Sequence, residues 1–312
     1  MAPRIKPKRL LSGARIGIVN PAYWLEPERQ QRAVRVFEDL GYELVLGKST
    51  NLKQNIYAGS PEDRASDIMA MFKDASIDAI FCARGGYGGN RVLPLLDYEV
   101  IRANAKIFVG YSDTTGSLTS IAQRSGLVCF HGPMLSTFGA QTVDYNLATL
   151  QAVLSGQANL DIRAPEACKA RTLRPGKAHG PLWGGNLALV NSRLGTPGQI
   201  DTSGAILFLE DIGEDFYKID RMLLHLKDSG SLERISGLVI GEMLDVGDTK
   251  VPFGKTVDEI VMDVCSDLDI PIISNFPCGH GDYQVTLPVS HDVELNALDD
   301  DPFIRIPESP VA

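Results

Sequence analysis

Between Arg15 and Phe130 the chain alternates short apolar runs with segments of helical spacing, and this alternation restricts the fold more than any other feature. Arg15-Ile-Gly-Ile-Val-Asn20, Glu43-Leu-Val-Leu46, Asp78-Ala-Ile-Phe-Cys-Ala83, Ile107-Phe-Val-Gly110 and Leu127-Val-Cys-Phe130 each read as a strand. Pro27 to Leu40 carries apolar residues at Ala33, Val34, Val36 and Phe37 and stops at Gly41, which predicts a helix. Ser60-Pro61-Glu62-Asp63 opens a second helix, with Ser as cap and Pro at the first position, running to about Phe72. Strands joined by helices in this order form a mostly parallel sheet covered on both faces.

From Leu154 to Gly180 both patterns fade, and Gly156, Pro165, Pro175 and Gly176 punctuate the stretch. The expected organisation is an N-terminal α/β domain over 1–155, a linker over 156–179 and a smaller C-terminal α/β domain over 180–312. In that second domain, Gly180 to Val190 reads as glycines followed by a helix. Ala205 to Leu209 and Gly237 to Ile240 read as strands, and Ile219 to Leu226 and Thr256 to Cys265 as helices. Short strands are expected at Pro271–Ser274, Gln284–Leu287, Val293–Leu295 and Phe303–Ile306.

The formal net charge of −9 argues against a nucleic-acid backbone or an anionic membrane as partner. No run approaches the ~20 apolar residues of a membrane-spanning helix, and no apolar core follows the basic N-terminus to make a signal peptide. Five scattered cysteines without a Cys-x-x-Cys pair fit reduced thiols of a cytoplasmic protein, and no His or Cys cluster suggests a metal.

Chemistry concentrates at the expected strand ends. Lys106-Ile-Phe-Val-Gly-Tyr-Ser-Asp-Thr-Thr-Gly116 runs a strand into a helix with Ser112 at the corner, beside backbone amides able to hold an oxyanion. Ser112 reads either as a nucleophile or as a helix cap. Arg84-Gly-Gly-Tyr-Gly-Gly-Asn-Arg91 lacks the spacing of a nucleotide loop. It reads either as an oxyanion or carboxylate site or as a plain turn. Of the five histidines, His280 stands between glycines in Pro277-Cys-Gly-His-Gly-Asp282. His131, after the fifth strand, reads equally as site or scaffold. His179, His225 and His291 read as structural or solvated. Glu210 ends a strand in Leu209-Glu-Asp-Ile212, with Asp211 as its rival, and the order Ser112, Glu210, His280 is one that some hydrolases use.

Taken together, Ala83-Arg-Gly-Gly-Tyr-Gly88, Val109-Gly-Tyr-Ser-Asp-Thr-Thr115, His131-Gly-Pro-Met134, Leu182-Trp-Gly-Gly-Asn-Leu187, Leu209-Glu-Asp-Ile212 and Gly279-His-Gly281 with Val285-Thr-Leu-Pro288 closely resemble the LD-carboxypeptidase family of serine peptidases. The resemblance implies an N-terminal parallel domain similar to class I glutamine amidotransferases, with a cleft between it and a smaller C-terminal domain. It implies a Ser112–Glu210–His280 triad, an oxyanion hole from the amides of Gly86 and Asp113, and no cofactor or metal. It further implies a cytoplasmic homodimer that removes the terminal D-Ala from murein tetrapeptides in peptidoglycan recycling. A sister branch hydrolyses a peptidyl-nucleotide antibiotic and gives immunity, and an inactive binding module of the same shape is a third reading. Arg84, His131 and Trp183 are substrate-binding candidates, Arg84 because a guanidinium matches a carboxylate bidentately. Thr114 departs from the family's commonest wording, which has Ile there.

Overall fold

The computed structural model describes residues 3–140, 142–298 and 300–312. The five apolar runs become β1 (Arg15–Val19), β2 (Glu43–Leu46), β3 (Ala79–Cys82), β4 (Ile107–Gly110) and β5 (Cys129–His131). Helices α1 (Pro27–Asp39), α2 (Pro61–Lys73), α3 (Tyr98–Ala103) and α4 (Thr115–Ser125) lie between them, and α5 (Leu135–Ala140) and α6 (Asp144–Leu154) follow. The start of α2 is fixed as its sequence dictates. The Ser60 hydroxyl accepts from the Asp63 N–H while the Asp63 carboxylate accepts from the Ser60 N–H, and Pro61 occupies the first turn. Neighbouring strands β2, β1, β3, β4 and β5 pair in parallel, in that spatial order. Ile16, Ile18, Ile80, Phe81, Phe108 and Val109 have no exposed surface, as a sheet covered on both faces requires.

The second half contributes β6 (Leu160–Arg163), β7 (Arg171–Arg174), β8 (Lys177–Asn186), α7 (Leu187–Ser192), β9 (Ile206–Ile212), α8 (Phe216–Asp228), β10 (Gly237–Leu244), α9 (Val257–Val264), β11 (Ile272–Phe276), β12 (Leu287–Val289), β13 (Asp292–Asn296) and β14 (Phe303–Ile306). All but β12 enter an eight-stranded sheet in the order β6-β14-β13-β8-β9-β10-β11-β7. Its centre, β8 to β11, is parallel, and its flanks are antiparallel. The molecule is therefore a two-sheet α/β protein with a parallel-rich N-terminal sheet.

Three expectations need correction. The 156–179 stretch is not a bare linker, because it supplies β6, β7 and the first residues of β8. Leu160-Asp-Ile-Arg and Arg171-Thr-Leu-Arg are too short and too charged to form apolar runs, and they sit at the two outer edges of the sheet. Backbone pairing on one side holds them. Second, no strand was expected before the helix that follows the glycines from Gly180, yet these glycines lie in the ten-residue β8, and the expected helix is α7. Gly184 has φ +144°, and a Cβ there would collide with the Phe208 backbone of β9. Third, the strand expected at 284–287 forms at Leu287–Val289 and leaves its own half of the chain. It pairs antiparallel with β5, Leu287 opposite His131, and closes the edge of the N-terminal sheet. Pro288 is tolerated because this is an edge strand.

Candidate active site

Ser112 stands where β4 gives way to α4. Tyr111 is fully extended (φ −157°, ψ −175°), Ser112 itself turns into the left-handed region at φ +62°, and a single tight turn through Thr114 leads into the helix. A serine gains nothing locally from that conformation, which costs of order 1–3 kcal/mol and is found mostly where function requires it. Ser112 is not the cap of α4, since that position falls to Thr114. Thr114 steadies the turn by donating its hydroxyl to the Tyr111 carbonyl at 2.9 Å. The glycine loop lies directly against the serine, since a Cβ on Gly85 would come within 3.0 Å of Ser112 Cβ and Oγ. Gly86 (φ +114°) needs its missing side chain, because a Cβ there would meet the Tyr23 ring.

The second half of the chain brings Glu210 and His280 together. Glu210, on β9, has no exposed surface, and its Oε2 accepts from Nδ1–H of His280 at 2.7 Å. Its other oxygen, Oε1, is buried without a hydrogen-bond partner among the described residues. Glycines flank His280 because the Glu242 carbonyl and carboxylate occupy the space where side chains would go. A Cβ on Gly279 would come 2.8 Å from the Glu242 carbonyl oxygen, and one on Gly281 would run into the Glu242 carboxylate. Burial pulls the His280 pKa down, but the hydrogen bond and charge of Glu210, with Asp211 and Glu242 behind it, outweigh burial and leave it raised. The ring of Tyr111, the residue before the serine, lies 5.1 Å from the His280 ring.

The rivalry between Glu210 and Asp211 is decided by neighbours. Asp211 accepts from Asn186 Nδ2 at 2.8 Å and from the Ala188 N–H at 2.9 Å, so it braces the start of α7. Burial raises its pKa to about 6. His131 is scaffold: it is buried, and its Nε2–H donates to the Cys278 carbonyl at 2.7 Å, two residues before His280. Its ring packs edge-on against Phe208. Trp183 has no exposed surface. Arg84 is half-buried and braces its own loop. It donates to the Trp24 carbonyl at 3.2 Å, lies 3.7 Å from Glu26 and sits over the Tyr23 ring. His225 contacts Asn191, while His179 and His291 line a separate concavity of about 470 Å³ beside Arg4 and Glu308. Among the described residues no cluster of His, Cys, Asp or Glu is arranged to hold a metal ion. Two residues had no signal in the sequence: Glu242, against the histidine loop, and Arg64, beneath the glycine loop.

Residues 16–132 match the LD-carboxypeptidase N-terminal domain and residues 179–295 match the LD-carboxypeptidase C-terminal domain. The chain belongs to the LD-carboxypeptidase family. A probable murein peptide carboxypeptidase of Bacillus subtilis (strain 168) is 36% identical over 295 residues, covering 94% of this chain and 92% of the relative. The murein tetrapeptide carboxypeptidase of Pseudomonas aeruginosa is 28% identical over 275 residues, covering 86% and 88%. Among solved structures, the microcin C7 self immunity protein MccF in an inactive mutant apo state superposes with a TM-score of 0.91 at 26% identity, covering 98% of this chain and 99% of that one.

In this LD-carboxypeptidase family member, the burial of His131 yields a stability prediction. Burial holds its pKa down to about 4, although the Cys278 carbonyl opposes the shift. In the unfolded chain the imidazole titrates near ~6.5. Between those values the unfolded state binds a proton that the folded state refuses, so stability falls as pH drops through this window. His131→Gln retains a donor for Cys278 and removes the titration. Urea unfolding at pH 7 and pH 4.5 should show the wild type losing about 2 kcal/mol more than the variant, at about 1.4 kcal/mol per pKa unit. Equal losses would show that His131 is not held neutral.

Proposed function

We propose that the protein is a serine carboxypeptidase with a Ser112–Glu210–His280 triad, removing the terminal D-Ala of murein tetrapeptides at an L-centre to D-residue bond in peptidoglycan recycling. The observation that carries this reading is the 2.7 Å contact between His280 Nδ1 and the buried Glu210 carboxylate, because it leaves Nε2 free as a base. Ser112 Oγ attacks the scissile carbonyl carbon and passes its proton to His280 Nε2. The amides of Gly86 and Asp113 receive the oxyanion. Collapse of the tetrahedral intermediate expels the amine of D-Ala, which takes the proton from His280. Water then attacks the acyl ester with the same nitrogen as base, freeing the shortened peptide and restoring the serine hydroxyl.

The substrate class is supported by the relatives named as murein peptide and murein tetrapeptide carboxypeptidases. The fold shared with MccF favours a second reading, hydrolysis of a peptidyl-nucleotide antibiotic. A cytoplasmic location and a homodimer belong to the proposal on the strength of the sequence resemblance alone.

Purified protein should release D-Ala from a tetrapeptide with a free terminal carboxylate, and should turn over a pentapeptide ending in D-Ala-D-Ala poorly. Preferred cleavage of an aminoacyl-nucleotide amide would select the second reading, and comparable turnover of both peptides would remove the LD assignment. The pH profile tests the triad separately. His280 must be neutral to accept the serine proton, and Glu210 raises its pKa, so the acid limb of kcat/KM should lie above the ~6.5 of free imidazole. Glu210→Gln should cut kcat by orders of magnitude, on the scale of the ~10⁴-fold loss known for an Asp-to-Asn change in a serine triad. Its residual activity should show the acid limb at lower pH. A limb that stays in place would separate Glu210 from the histidine's titration.

A further inference from the structure

The glycine loop after β3 rests on a buried arginine. Arg64, in the first turn of α2, has no exposed surface. Its Nη1 donates to the Gly88 carbonyl at 3.0 Å and also to the Pro21 carbonyl, and its Nε donates to the Ser60 carbonyl at 3.3 Å. The guanidinium carbon lies 5.1 Å from the centre of the Tyr57 ring, and Nη2 is buried without a partner. From the other side Asp113, the residue after the serine, accepts from the Gly89 N–H at 2.6 Å.

The Gly88 carbonyl and the Gly89 N–H are the two ends of one peptide unit. A peptide is planar, so holding both ends fixes its orientation. Gly88 sits at φ +110°, ψ 0°, a conformation open to glycine and strained for other residues. Side chains would also be in the way: a Cβ on Gly88 would come 3.3 Å from Arg64 Nη1, and one on Gly89 would come 2.7 Å from Asp113 Oδ2. Burying a guanidinium is costly unless its donors find acceptors, and here they find three carbonyls that diverge in direction. Burial raises the Asp113 pKa, while the amides of Gly89 and Gly88 and the charge of Arg64 oppose the rise.

We propose that Arg64 is a positioning residue for the oxyanion site: with Asp113 it clamps the Gly88–Gly89 peptide at both ends and so aligns the Gly86 amide with that of Asp113. The proposal rests on the reading of Ser112 as nucleophile and of these two amides as oxyanion donors. The oxyanion exists only after attack, so a loosened loop raises the barrier without weakening ground-state binding.

The test uses the full chain with Arg64→Lys and Arg64→Met. Two quantities are read: the second-order rate at which a fluorophosphonate labels Ser112, and kcat and KM on the tetrapeptide. Loss of an oxyanion donor costs about 10²–10³ in kcat, and misalignment should cost about 10- to 100-fold, with KM within about twofold and the acid limb of the pH profile unmoved. Labelling should slow in parallel, and Lys should recover part of what Met loses. A wild type that is not labelled at Ser112 would overturn the nucleophile reading and the proposal with it. A labelled wild type with either variant labelling and turning over at the wild-type rate would overturn the proposal alone. So would a loss expressed in KM, or failure of both variants to fold; if only Met fails to fold, Lys decides.

Discussion

A carboxylate with no exposed surface and one hydrogen-bond partner organises the second half of this molecule. Glu210 lies within the buried run of β9, and the atom that answers its charge is Nδ1 of His280. Burial of an ion is expensive unless a partner is close and well directed, so the loop carrying His280 has to be held against β9 without slack. The glycines follow from that need. Gly241 leaves room for Glu210, and Gly279 and Gly281 leave room for the carbonyl and carboxylate of Glu242. His131 fixes the approach of the loop through the Cys278 carbonyl, and the chain then returns as β12 to pair beside His131 itself.

The serine side is built on the same economy of space. The elbow at Ser112 presses on Gly85, and the first turn of α4 presses on Gly185, where a Cβ would run into Thr115. Thr115 Oγ1 also accepts from the Asn186 N–H at 3.1 Å, tying the helix behind the serine to the end of β8. Asn186 in turn caps α7 and donates to Asp211, the neighbour of Glu210. A continuous set of contacts therefore runs from the helix behind Ser112 to the strand that bears Glu210. Strands β12 and β8 serve the same end, one closing the first sheet with chain from the second half and the other pairing with β9.

Elements with strong local signals were legible in the sequence. The Ser60-Pro61 start of α2, the apolar runs of β3 and β4 and the helix expected over Thr256 to Cys265 lie where periodicity and capping chemistry put them. The strands that were hidden depend on partners distant in sequence. β6 and β7 have too few apolar residues to announce themselves, and β8 is disguised by glycines whose reason is the backbone of β9 and the side chain of Thr115. At the site, residue type and strand-end position were enough to suggest Ser112, Glu210 and His280. They were not enough to separate Glu210 from Asp211, because adjacent residues on a strand point to opposite faces and only the packed structure says which face holds a histidine. Arg64 had no signal at all. Its role depends on the carbonyls of Pro21 and Gly88, which folding alone brings beneath one guanidinium.

The central claim is that Ser112 forms a covalent acyl-enzyme, and it is tested most directly by trapping that species. Acid-quenched mixtures of protein and tetrapeptide, analysed by intact mass and then by peptide mapping, should show the mass of the shortened peptide's acyl group on the fragment containing Ser112. In Glu210→Gln that adduct should form more slowly. An acyl group on another residue, or release of D-Ala with no adduct on Ser112 at any quench time, would contradict the account.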